Sequence, residues 1–327
     1  MHPKSRFTIL LFGILTCALS ISTAQETDHK VIKREFVDAV KTDYVPDFPA
    51  LTNNHGTRVL IDRFHETIYS IPDEENGTMH MQDMMRKDGF TLKDANTSLD
   101  QHLNDADVLI IHGLPNNKIE LPNGGEYWKS PLSSEELDAI IRFIDNGGGL
   151  YLSLSHWPGG GGALPILEAL NVKLRDGYVW SKEYPSYTDP ASGICSHYFG
   201  MSEKDNTLNK KHPVAGGPLP VNKVDFLCGT AIFREKEDAI LPFPAGSINY
   251  TTGEIAAEIS DDYAGMIGFT FGKGKVVVAT DQGMFRNFIF TFSDGEKTED
   301  IAVTLSPNND NANLFINMMR WLSPKID

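Results

Sequence analysis

Cysteine is scarce in this chain, with Cys17, Cys195 and Cys228 the only three among 327 residues. That is too few for a disulfide scaffold, and no Cys-x-x-Cys pair of the kind that holds structural zinc occurs. Long apolar runs are scarce too. Phe7 to Ile21 is the one candidate, and it falls short of the roughly 20 apolar residues that a helix needs to cross a bilayer. The third deficit is positive charge: 29 Lys and Arg face 44 Asp and Glu, a formal net charge of −15. Phosphate backbones and anionic lipid surfaces repel so acidic a chain, which excludes nucleic acid and the membrane surface as expected partners.

The chain opens with the features of a leader. Met1 to Ala24 carries Lys4 and Arg6, then the apolar run, then Ser22-Thr23-Ala24 as a small-residue cleavage site, the order of a secretory signal peptide. A secreted or periplasmic location is therefore expected. Once Cys17 leaves with the leader, Cys195 and Cys228 either pair in an oxidising compartment or stay as two buried thiols. Residues 25–57 read as a polar N-terminal arm broken by Pro46 and Pro49, with one short helix around Arg34 to Val40.

From residue 58 strands and helices alternate. Arg58 to Asp62 and Asp107 to His112 are short apolar runs of buried-strand type, with a shorter strand at Phe90 to Lys93. Met79 to Lys87 reads as a helix stopped at Gly89. Ser133-Ser134-Glu135-Glu136 opens another with N-cap chemistry, Leu137, Ile140, Ile141 and Ile144 give it an apolar face, and Gly147-Gly148-Gly149 ends it. A strand from Leu150 and a helix over Ala163 to Leu170 follow. Between about 171 and 260 the rhythm changes to loops, aromatics and short β runs such as Val224 to Leu227 and Ala239 to Phe243, an insertion or elaborated edge. The core resumes with Met266 to Phe271, a Gly272-Lys273-Gly274-Lys275 turn and Val276 to Ala279, and closes with a helix over Asp310 to Leu322. Such alternation predicts a largely parallel sheet with helices on both faces.

Four of these strands run into a histidine or an aspartate: Asp62, His112, His156 and Asp281. In an open α/β sheet ligands bind beyond the carboxyl ends of the strands, so these residues are expected to converge on one site. His65, Ser155 and Trp157 lie close to them in sequence and complete the candidate ligand-binding set of Asp62, His65, His112, Ser155, His156, Trp157 and Asp281. The histidines and aspartates are suitable ligand types for a divalent metal, but they lack any His-x-x-x-His or comparable spacing, so no metal or other cofactor is assigned. Trp157, Tyr178, Trp180, Tyr184, Tyr187, Tyr198 and Phe199 supply rings that can stack on the apolar faces of sugars. The run Gly159 to Gly162 reads as a flexible loop over the site.

The stretch Gly147 to His156, a helix stop running into a strand and then a polar turn, resembles the class I glutamine amidotransferase-like superfamily. Asp62-Arg63-Phe64-His65, Ala106 to Ile111, His212-Pro213-Val214, Gly274 to Val278 leading to Asp281, and Asn311 to Leu322 are similar to its secreted, ThuA-like branches. The resemblance covers roughly Arg58 to Leu322 and implies a flavodoxin-like three-layer sandwich with a nucleophile on the turn after the Leu150 strand. Two departures decide more than the matches. Ser155 and His156 stand where active members carry cysteine, and no histidine follows His212, so the His-x-Glu expected after the late strands is missing. Glutamine hydrolysis by a Cys-His-Glu triad is not expected.

Three functions stay open on these residues. The leading one is a secreted, catalytically divergent amidotransferase-like domain binding a small polar ligand, with carbohydrate the favoured class. The second is a glycan-acting or metal-dependent hydrolase using Asp62, His65 and His156. The third is a protein-interaction module of an envelope or polysaccharide-processing assembly.

Overall fold

The computed structural model describes residues 36–37, 44–51, 55–122, 126–156, 159–175, 177–184, 199–227, 229–251, 254–258, 262–293 and 298–326. The leader, Trp157, Tyr187, Tyr198, Cys195 and Cys228 lie outside them. The main sheet has nine strands: β1 (Arg58–Asp62), β2 (Thr91–Ala95), β3 (Val108–His112), β4 (Gly149–Ser153), β5 (Lys173–Arg175), β6 (Ala231–Phe233), β7 (Ala239–Pro242), β8 (Ala264–Phe271) and β9 (Gly274–Ala279). Their order is β2-β1-β3-β4-β9-β8-β6-β5, with β7 pairing to β8. The first five of that path are parallel, in the flavodoxin-like order. Beyond β9 the ladders are antiparallel, and only β8 and β5 run against the common direction.

Strand alternation explains the three layers. Val59, Ile61, Val108, Ile110, Tyr151, Val277 and Ala279 face one core, which α1 (Met79–Lys87) and α4 (Asn311–Leu322) cover with Met81, Met85, Phe315 and Met319. The intervening Leu60, Leu109, Ile111, Leu150, Leu152, Val276 and Val278 face a second core, covered by Ile140 and Ile144 of α2 (Ser134–Asp145) and Ile166 and Leu167 of α3 (Leu164–Ala169). A strand buried on both faces must be apolar throughout, which is why β1, β3 and β9 read as unbroken runs. Each such side chain contributes about 1.5–3 kcal/mol of burial.

The helix ends follow local chemistry. The Ser133 hydroxyl accepts the Glu136 backbone N–H at 3.2 Å while the Glu136 carboxylate accepts the Ser133 N–H at 3.0 Å, a full capping box. Gly147 follows α2 at φ 114°, a conformation that a side chain would strain.

Several expectations need correction. Phe36–Val37 is not helical: it pairs antiparallel with a strand over Asn287–Ser293, whose hairpin partner is Thr298–Thr304, and this hairpin lies between β9 and α4. The segment 171–260 builds the antiparallel edge side of the sheet. It supplies β5, β6 and β7 to the main sheet, and Tyr178–Trp180, Ile248–Thr251 and Glu254–Glu258 form a separate three-stranded sheet. The glycine run is not a loose loop. Gly160, Gly161 and Gly162 are buried, and a Cβ on Gly161 would lie 2.6 Å from the Trp128 Cβ, one on Gly162 2.3 Å from the Pro115 carbonyl.

Candidate functional site

Register brings the parallel strand ends into one row. His112 pairs with Ser153 and Ser153 with Ala279, while Ile61 pairs with Ile110, so Asp62, His112, the turn after β4 and Asp281 all sit at the carboxyl edge. The order reverses between β1 and β3, the position where open α/β sheets place their crevice. Sharing an edge does not give these residues a shared surface.

Asp62 and His65 are buried and bound to each other. The Asp62 Oδ1 accepts the backbone N–H groups of Phe64 at 3.0 Å and His65 at 3.3 Å, and His65 Nδ1 lies 3.1 Å from both carboxylate oxygens. The other ring nitrogen, Nε2, lies 3.1 Å from Glu136 Oε1, close enough for an ion pair but misaligned for a directed hydrogen bond. Glu136 is itself held: Oε1 accepts the Leu99 N–H at 3.0 Å, and Oε2 accepts from Ser133. Burial pushes the imidazolium down, but the hydrogen bond to Asp62 and the charges of Asp62 and Glu136 outweigh it, and the His65 pKa is raised. Burial of Glu136 is likewise overcome by its backbone and hydroxyl donors, which bring it down to about 2. The result is a buried Asp62–His65–Glu136 bridge joining the β1 loop, the 99–101 turn and the start of α2. Nδ1 of His65 is bound to Asp62, and Nε2 faces Glu136 without a directed hydrogen bond.

His112 is fully buried. Its Nε2 donates to the Gln282 carbonyl at 2.8 Å, and the rings of Tyr69 and Tyr151 meet it edge-on, each at 5.9 Å. Burial lowers its pKa to about 3, so it is neutral. Among the described residues its Nδ1 and the Tyr151 hydroxyl find no hydrogen-bond partner. Asp281 Oδ2 accepts the Leu227 N–H at 2.8 Å and Oδ1 that of Gly283 at 2.7 Å. Beside it Arg286 is half-buried, its Nε donating to the Asn76 carbonyl at 2.8 Å; desolvation outweighs the attraction of Asp281 and lowers its pKa to about 10.

Ser155 and His156 differ from these. Strand β4 stops at Ser153 and does not reach His156 as the sequence predicts: the Leu154 N–H still donates to the Ala279 carbonyl at 2.7 Å, and the chain bends at His156. Both Ser155 and His156 are half-buried, and the His156 ring stacks on Tyr178 with centroids 4.6 Å apart and 24° between planes. A Cβ on Gly159 would lie 2.6 Å from the Ser155 Cβ, so the turn needs glycine there. Two strand spacings, roughly 10 Å, separate the end of β1 from that of β4. Among the described residues no three His, Cys, Asp or Glu gather as they would around an ion.

The sequence identifies Asp62, His65 and the Ser155–His156 turn but misses Glu136, whose only sequence signal is the capping box. That signal explains its bond to Ser133 and says nothing of His65. Two grooves lie elsewhere. One of about 620 Å³ lies among Glu183, Asp205 and Phe243, and one of about 630 Å³ among Asn104, Phe143 and Gly148.

No family model matches the chain, and no curated protein matches it. Solved structures do. The mmIFT52 N-terminal domain is 14% identical, with a TM-score of 0.50, over 81% of this chain and 96% of that one. A ThuA-like protein from Bacteroides uniformis is 13% identical, with a TM-score of 0.44, over 87% and 98%. A ThuA-like protein from Parabacteroides merdae is 12% identical, with a TM-score of 0.43, over 83% and 90%. At such identities a likeness speaks for the fold alone.

Proposed function

We propose that this is a secreted, catalytically divergent amidotransferase-like domain that binds a small polar ligand, a carbohydrate, at the half-buried turn of Ser155 and His156 against Tyr178. One contrast carries this reading: Asp62, His65 and His112 are buried in the fold, while Ser155, His156 and Tyr178 are half-buried and side by side. A sugar offers an apolar face to such a ring and hydroxyls to Ser155 and His156. The leader at Met1 to Ala24 supports secretion. Hydrolysis through Asp62, His65 and His156 is disfavoured because the first two are bound to each other and roughly 10 Å of sheet separates them from the third. Isothermal titration with monosaccharides tests the reading. Wild-type protein should bind at least one, and His156→Ala should abolish binding while the melting temperature stays close to wild type. No binding by the wild-type protein, or equal binding by His156→Ala, would overturn it.

A further inference from the structure

In the small sheet formed by Tyr178–Trp180, Ile248–Thr251 and Glu254–Glu258, Tyr178 pairs with Tyr250 and Trp180 with Ile248. Alternate residues along a strand point to opposite faces. Val179 and Asn249 turn inward, at 1% and 6% exposure, and Tyr178, Trp180, Ile248 and Tyr250 are all half-buried on the other face. Three aromatic side chains therefore share one side of two adjacent strands. Trp180 meets Tyr250 edge-on at 6.4 Å, and Tyr178 carries the His156 stack, so this face is continuous with the Ser155–His156 turn.

We infer that this face is a platform for an extended, neutral polysaccharide chain, with the Ser155–His156 turn as one subsite of a longer track. The inference rests on the reading that this turn takes a sugar. Trp180 and Tyr250 stand at 82° to each other and Tyr178 is stacked on His156, so a pyranose unit meets the face of one ring and the edge of the next, each contact adding a small increment of affinity. Charge selects among polymers: a chain of net charge −15 disfavours nucleic acid and polyanionic glycans. Three residues beyond Trp180 the chain reaches Glu183, on the rim of the 620 Å³ groove. Its lining mixes Glu203, Asp205 and Asn206 with Lys210, Lys211, Lys236 and Phe243, so the groove offers both acceptors and donors to sugar hydroxyls.

The test is titration of the full chain with cello-, malto- and xylo-oligosaccharides from monosaccharide to hexasaccharide. In one series affinity should climb with length, roughly two- to tenfold for each further ring engaged. Trp180→Ala and Tyr250→Ala should remove that climb and leave monosaccharide binding unchanged. Trp180→Phe, which keeps a ring, should retain most of it and serves as the control for folding. Monosaccharide binding with no dependence on length would overturn the platform and spare the turn. Absence of binding at every length would overturn both. Preferential, salt-sensitive binding of polygalacturonate would overturn the neutral polymer. Self-association in sedimentation that Trp180→Ala abolishes, without any effect on sugar titrations, would assign the face to a second copy of the chain.

Discussion

Along the parallel half of the main sheet, polar side chains at the strand ends point into the protein and are bound there. Across the small sheet of Tyr178–Trp180 and Ile248–Thr251, aromatic side chains point out and are left half-buried. The first arrangement joins elements. Asp62, His65 and Glu136 tie a loop, a turn and a helix start, and Asp281 ties the chain after β9 to the backbone at Leu227. The second leaves apolar surface partly in water, which folding alone does not favour. Chemically capable residues at the expected edge are thus poor evidence of chemistry, and rings in an irregular insertion are better evidence of a ligand.

This contrast can be broken by mutation. The largest expected effect is on the buried bridge. His65→Ala strands two carboxylates and should lower unfolding free energy by about 3–5 kcal/mol, the usual consequence of breaking one partner out of a buried ion pair. Urea denaturation measures it, and a loss below about 1 kcal/mol would mean that the bridge is not holding the loop. Sugar binding by the folded fraction should not change.

The pH dependence comes next. The folded pKa of His65 is raised, so its contribution is fully present below the unfolded value of about 6.5 and is lost as pH rises through the folded value. His112 acts oppositely: its folded pKa is lowered to about 3, and the unfolded chain takes up a proton as pH falls below about 6.5. The stability difference between wild type and His65→Gln, followed by thermal melts from acid to alkaline pH, should therefore shrink on the alkaline side. A difference that is flat with pH would remove the imidazolium from the account.

Smaller effects sharpen the other side of the comparison. His156→Ala should change stability by less than about 1 kcal/mol, as half-exposed positions usually do, while removing ligand affinity. A large loss of stability would make the His156–Tyr178 stack a structural contact. The smallest change is expected from Tyr151→Phe. Among the described residues the hydroxyl is buried without a hydrogen-bond partner, so its removal should leave stability within about 1 kcal/mol or raise it. A loss near 3 kcal/mol in calorimetry would show that the hydroxyl is bonded in solution.

Much of the fold was legible because its signals are local. The helix over Met79–Lys87 and the capping box at Ser133 follow from spacing and end chemistry within a dozen residues. The strand-end row was legible for the same reason, since parallel strands in sequence order share one carboxyl edge. What could not be read depends on contacts between distant residues. Glu136 lies 71 positions from His65 in the chain yet 3.1 Å away in space, and nothing near either residue in sequence signals the meeting. The hairpin of Asn287–Ser293 with Thr298–Thr304 interrupts an otherwise regular α/β rhythm. Burial was the other failure: the sequence shows that Asp281 ends a strand, not that two backbone amides already claim its carboxylate.

The glycines that follow Ser155 separate a holder from what it holds. Backbone and side chains of Pro115, Trp128 and Leu174 close every direction in which Gly160, Gly161 and Gly162 could grow a side chain, and Gly159 is closed by the turn itself. The Ser155 side chain is itself part of what closes Gly159, since a Cβ there would lie 2.6 Å from the Ser155 Cβ. The turn is a socket with a fixed rim, and a cysteine in place of Ser155, nearly its size, should leave the melting temperature close to wild type.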